Sequence, residues 1–187
     1  HTQGMDSIFG LCLAETSTDP IAIVRRMMDL PFCHMHGPEH HVMVGAALLT
    51  AYKNAGGFLD LEAALQEMYS RGKSVPGGAC GFWGACGAGI GTGQFLAIAT
   101  QSNPLAQEPW GLSNRMTAHA LDRIGQVGGP RCCKRDSFLA ILAAVEKVSL
   151  ADELLEKMRA EHEAEEAEHA HHHHDHDDHD HDHHHDH

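Results

Sequence analysis

Positive charge is scarce in this sequence: 13 Lys and Arg stand against 26 Asp and Glu in 187 residues. Most of the imbalance sits at one end, because residues 152–187 hold 14 of the acids and 2 of the bases. The first 151 residues keep 12 acids and 11 bases, close to neutrality, and offer no basic face for a nucleic acid. The opening "HTQGMDSIFG" has no cationic segment before an apolar run, which argues against a secretory signal there. Met5 reads as the native start, residues 1–4 as a cloning remnant, and the expected location is cytoplasmic. Period-two alternation is also missing, so strands are not expected. Charge is absent from residues 74–107, a run of 34. A membrane span needs about 20 mainly apolar residues. Here the glycines, Gln94, Pro76 and Pro104 break the run, so a buried central helix is expected and no membrane partner.

What is present reads as helices joined by short loops. Asp19-Pro20 supplies a cap and a proline at the first helical position, and Pro31 ends the helix that follows. Gly37-Pro38 opens a second helix, apolar almost all round and therefore buried, which Gly56-Gly57 stops. "LDLEAALQEMYSRG" is amphipathic, with Leu61, Leu65 and Met68 on one face. Another helix is expected from Cys86 or Gly87 to about Thr100. Ser113 caps the next, with Leu112, Met116, Ala120 and Ile124 aligned. A further helix starts at Pro130 or Asp136, with Phe138, Ile141, Leu142 and Val145 as its stripe. The last begins at Ser149, and beyond Met158 its apolar residues are alanines. The expected fold is all-α, a compact bundle of about six helices. It spans residues 5–150, then comes a solvated helix over 151–168 and a disordered His/Asp-rich tail over 169–187.

Three segments carry chemistry. "CHMHGPEHH" places Cys33, His34, His36, His40 and His41 within nine residues. Cys33 and His36 have a spacing that lets two ligands grip one ion from a turn. Pro38 sets His40 and His41 in the first turn of a helix, where free N–H groups and the dipole favour neutral imidazole and ionised thiolate. The second segment is "VPGGACGFWGACGAGIGTGQF", with Cys80, Cys86 and eight glycines. It is not a phosphate loop, since no Lys-Ser/Thr follows, and it lacks the strand of a dinucleotide site. Cys86 at a helix start gains thiolate character, suiting a nucleophile or a metal ligand. The third is "GGPRCCKRDS". Adjacent Cys132 and Cys133 point in different directions, so one of them joins a given site, and Arg131 and Arg135 could hold an anion. Cys12 reads as structural and His119 as a hydrogen-bonded core histidine.

Two readings compete. In the first, Cys33, Cys80, Cys86 and one of Cys132 or Cys133 converge on an Fe–S cluster or zinc, with His36 or His40 completing it. In the second, Cys86 is a redox or transfer nucleophile, with Cys80 or Cys133 as its partner thiol. The segments also carry a resemblance. Together with "WGLSNRMTAHAL", they look like an uncharacterised bacterial and archaeal cysteine-rich helical family that has no assigned function and is sometimes found with methyltransferases. The resemblance covers about residues 30–148 and implies one domain and possible methyltransferase or redox partners, without a reaction. A looser resemblance is to a redox-active cysteine-motif family. This chain departs from that pattern through the histidines after Cys33 and through Cys80 ahead of Cys86.

The end of the chain, "HAHHHHDHDDHDHDHHHDH", holds twelve histidines and six aspartates, an interleaving that argues against a purification tag. It cannot bury a core. His171, His172, His173, His174, His176, His179, His181, His183, His184 and His185 make it a flexible reservoir for divalent nickel, zinc or cobalt. Only neutral imidazole binds metal. The tail should therefore hold several ions at about pH 7.5 and release most by about pH 5.5, on either side of the unperturbed histidine value. Nickel calorimetry on the full chain and on a version truncated after Glu168 checks this. Equal stoichiometry for the two would contradict it.

Overall fold

The structure, a computed structural model, describes residues 2–33 and 39–174. Every regular element among them is helical. The order is α1 (Thr2–Ala14), α2 (Pro20–Met28), α3 (His40–Asn54), α4 (Leu61–Lys73), α5 (Ala79–Phe82), α6 (Gly87–Ala99), α7 (Glu108–Val127), α8 (Cys133–Lys147) and α9 (Asp152–His174), with a 3-10 turn at Val148–Ala151. The chain divides between Ala151 and Asp152 into two units. No described helix is long and apolar enough to cross a membrane.

Two elements of the first unit exceed the bundle of about six expected from sequence. One is α1, where Ile8 and Cys12 are fully buried one helical turn apart and Phe9 meets Tyr69 edge to face. The other is α5, a single turn inside the glycine-rich segment. Its length is too short for any periodicity to register.

Local signals account for three helix starts. Asp19 accepts from the Ile21 N–H at 2.9 Å, and Asp60 caps α4 through the Ala63 N–H at 3.2 Å. Helix α7 starts at Glu108, ahead of the expected Ser113, because Pro109 fits its first turn. Ser113 is instead buried within the helix, its hydroxyl donating to the Pro109 carbonyl at 2.7 Å. The stripe of α8 also differs from expectation. Leu142 and Val145 are exposed, and the buried face is Ser137, Ala140, Ile141 and Ala144. Small residues let α8 lie close to its neighbours, a feature that a hydrophobic-size pattern overlooks.

Helices α3 and α6 form the centre, with α6 packed on α3, α4, α7 and α8. The glycines of α6 make this possible. A Cβ at Gly93 would overlap the Thr117 hydroxyl and stand 3.0 Å from the Ser113 carbonyl; at Gly89 it would lie 2.6 Å from Leu121. The second unit's α9 is braced by its own i,i+4 pairs, Arg159 with Glu163 at 3.4 Å and His162 with Glu166 at 3.0 Å. It continues through residues 169–174, part of the stretch expected to be disordered, and residues 175–187 lie outside the described residues.

Gly93→Ala should destabilise the fold. Overpacking costs on the order of 1–3 kcal/mol, partly offset by about 1 kcal/mol of helix propensity. Gly111→Ala in α7, where an added Cβ meets nothing within 4 Å, should leave the fold as stable or more so. Urea unfolding of the two variants checks the contrast. Equal midpoints would show that the α6–α7 approach is not tight.

Candidate metal centre and thiol cavity

Cys33 follows the end of α2, its N–H donating to the Leu30 carbonyl at 3.0 Å. Glu39 stands at the cap of α3, and His40, only 1% exposed, occupies the first helical position. Cys33 thus lies against the entry of α3. One ligand atom from each of Cys33, Glu39 and His40 lies within 4.8 Å of the other two. Cys33 Sγ is 3.8 Å from His40 Nε2 and 3.8 Å from Met43 Sδ. Two ligands on a tetrahedral zinc, with bonds of about 2.3 Å to sulfur and 2.0 Å to nitrogen, stand about 3.6 Å apart. The observed separation is close to what one shared ion requires.

Burial pushes the Cys33 thiol up from its ordinary value; Lys134 opposes this and Glu39 adds to it. The ionised thiolate expected at this helix entry is therefore not the resting form. Sequence reasoning also passed over Glu39, although it lies inside the quoted "CHMHGPEHH" and carboxylate oxygen is an ordinary zinc donor. His36 lies outside the described residues.

His41 faces a different space. Its Nδ1 is 3.1 Å from the Val75 carbonyl, which can only accept, so Nδ1 carries the proton and Nε2 keeps its lone pair. The ring lies so close to the start of α6 that a Cβ at Gly87 would stand 2.5 Å from Nε2. His40 and His41 wall a cavity of about 230 Å³ that Cys80, Cys86, Cys133, Arg131 and Asp136 also line. A more open groove of about 350 Å³ shares Cys80, Cys86, Arg131 and Asp136 and reaches Arg135.

The cysteines expected in one cluster line two spaces that share His40. Cys33 belongs to the trio with Glu39 and His40, while Cys80, Cys86 and Cys133 line the cavity next to it. Of the adjacent pair, Cys133 reaches the cavity and Cys132 serves as the N-cap residue of α8. Arg131 lines both spaces. Arg135 is engaged by its own surroundings: it donates to the carbonyls of Gly128 at 3.0 Å and Pro130 at 3.3 Å and pairs with Asp136 at 3.1 Å. Cys12 is fully buried near Thr50, and burial drives its thiol to about 11. His119 is not a core residue; it meets Glu146 at 2.9 Å on the surface.

Asp136 is a participant that sequence reasoning treated as a helix-start signal. It is 4% exposed, and its Oδ2 lies 4.0 Å from Cys86 Sγ while Arg135 holds Oδ1. This neighbourhood reverses the lowered thiol value expected for Cys86. Burial pushes the thiol up, and the Asp136 and Cys80 charges add to the rise. The Ala88 and Gly89 N–H groups pull the other way, without a well-formed capping hydrogen bond to the sulfur. Cys86 at rest is therefore protonated near neutral pH, a poor state for a nucleophile.

Compared with known protein families, residues 8–176 match DUF5714, a family of unknown function. No curated protein and no solved structure matches the chain.

The pH midpoint for alkylation of Cys86 should lie above the free-thiol value of about 8.5. Asp136→Asn should lower it, because removing the carboxylate removes a charge that opposes thiolate. Iodoacetamide labelling against pH, read site by site by mass spectrometry, checks both. Fast labelling of Cys86 at neutral pH would contradict the buried, carboxylate-flanked thiol.

Proposed function

The chain belongs to the DUF5714 family, and we propose that it is a metal-binding protein whose described centre is the trio Cys33, Glu39 and His40. The observation that carries this reading is the gathering of sulfur, carboxylate and imidazole donors within 4.8 Å at a buried helix entry. A mixed set of one thiol, one imidazole and one carboxylate suits zinc, which accepts all three. It does not suit an Fe–S cluster, which is held mainly by several thiolates. The described residues supply three of the four donors that a tetrahedral zinc ion takes. His40 and the neighbouring Met43 are buried and exclude water from one side of the half-buried trio, which strengthens the ion–donor attraction there. The His/Asp tail belongs to the same reading as a reservoir that raises the local supply of ions, its donors being of the harder nitrogen and oxygen type.

Cobalt substitution in the full-length protein tests the trio, because a thiolate–cobalt charge-transfer band reports sulfur ligation and the tail has no sulfur. Cys33→Ser should remove one equivalent of thiolate-bound cobalt. His40→Ala and Glu39→Gln should each weaken its binding by about 10–100-fold, the scale on which metal sites respond to lost support. Retention of an unchanged band and affinity in Cys33→Ser would refute the assignment.

A further inference from the structure

The cavity beside the trio is not explained by it. Cys80, Cys86 and Cys133 come from α5, the N-cap of α6 and the first position of α8, elements separated along the chain yet walling one space of about 230 Å³. Three buried or half-buried thiols in one cavity exceed what packing needs, since alanine or serine would fill the same positions. The fourth wall is His41. Its Nδ1–H is committed to the Val75 carbonyl, the arrangement by which proteins orient a metal-binding imidazole and aim the other nitrogen at an ion. That other nitrogen, Nε2, lies over the backbone of Gly87, next to Cys86.

We propose that Cys80, Cys86, Cys133 and His41 Nε2 form a second metal site, distinct from the Cys33–Glu39–His40 trio and selective for a thiophilic ion. Donor softness supplies the selectivity. Three sulfurs and an imidazole favour soft and borderline cations such as copper(I), zinc or cadmium, and offer little to magnesium or calcium. On binding, each coordinating thiol loses its proton. Asp136 Oδ2, 4.0 Å from Cys86 Sγ, is a proton acceptor already inside the site. Arg135 holds the other oxygen of that carboxylate at 3.1 Å, which leaves Oδ2 facing the sulfur.

The donors of this site do not lie as close together as those of the trio, so sharing one ion requires the segment carrying Cys80 to shift towards it. Gly78 and Gly84 flank α5 with φ of 85° and 66°, conformations that glycine adopts without strain. Added Cβ atoms at Gly77, Gly81 and Gly84 would meet nothing within 4 Å, so open space borders the turn.

Cadmium-113 NMR of the full-length protein separates the two sites, because the resonance moves downfield with each thiolate ligand. The trio should give a one-thiolate signal. The cavity should give a signal in the three-thiolate range, and the tail none of thiolate type. Cys86→Ser and Cys133→Ser should each remove or shift the three-thiolate signal while leaving the one-thiolate signal as evidence of an intact fold. Cys132→Ser should change neither signal, and Cys33→Ser should remove only the one-thiolate signal. Absence of a three-thiolate signal in the unaltered protein would overturn the second site, as would its persistence in Cys86→Ser. Absence of the one-thiolate signal from the unaltered protein, with the three-thiolate signal present, would refute the trio and leave the cavity site standing.

Discussion

The close approach of α6 to its neighbours is the constraint on which the rest depends. A helix with glycine at 87, 89 and 93 can bring its backbone against α3 and α7 nearer than any larger side chain permits. At the centre of the bundle this removes the space that side chains would fill and replaces it with direct contact, at the cost of helix propensity. At the N-terminal end of α6 the same approach lets the His41 ring lie on Gly87, which places an imidazole beside Cys86. Packing and chemistry therefore share one cause, and a side chain at Gly87 would disturb both.

The cavity sits where three helices begin. His40 and His41 open α3, Cys86 precedes α6, and Cys133 opens α8. Unpaired N–H groups and positive dipole ends thus surround a space lined with thiols, an arrangement that favours anionic sulfur. Burial works against this, and at Cys86 it wins, with the Asp136 charge on the same side. The balance leaves the Cys86 thiol protonated at rest, which suits a group that ionises on pairing with a cation better than a nucleophile.

Two donor sets of different character lie side by side, with His40 on the wall of both. The trio mixes sulfur, nitrogen and oxygen, while the cavity is dominated by sulfur. The tail adds a third kind, nitrogen and oxygen without sulfur. On the proposed reading, graded softness of this sort would sort ions by chemistry rather than by raw affinity, since affinity among first-row metals follows much the same order at most sites.

The sequence by itself determined the all-helical class, the entry at Asp19-Pro20 and the buried character of α3, because capping and periodicity act over a few residues. It also marked the three segments that carry chemistry, since cysteine and histidine are rare enough for their clustering to stand out. Only the tertiary structure decided which of those residues meet. Adjacent Cys132 and Cys133 are indistinguishable in sequence, and the direction in which α8 enters the bundle sends one to the cap and the other to the cavity. Glu39 and Asp136 look like ordinary helix-start acids until Cys33 lies beside one and Cys86 beside the other. The reversal at Cys86 has the same origin: its helix start is local and legible, whereas its burial and its carboxylate neighbour come from 50 residues further along the chain.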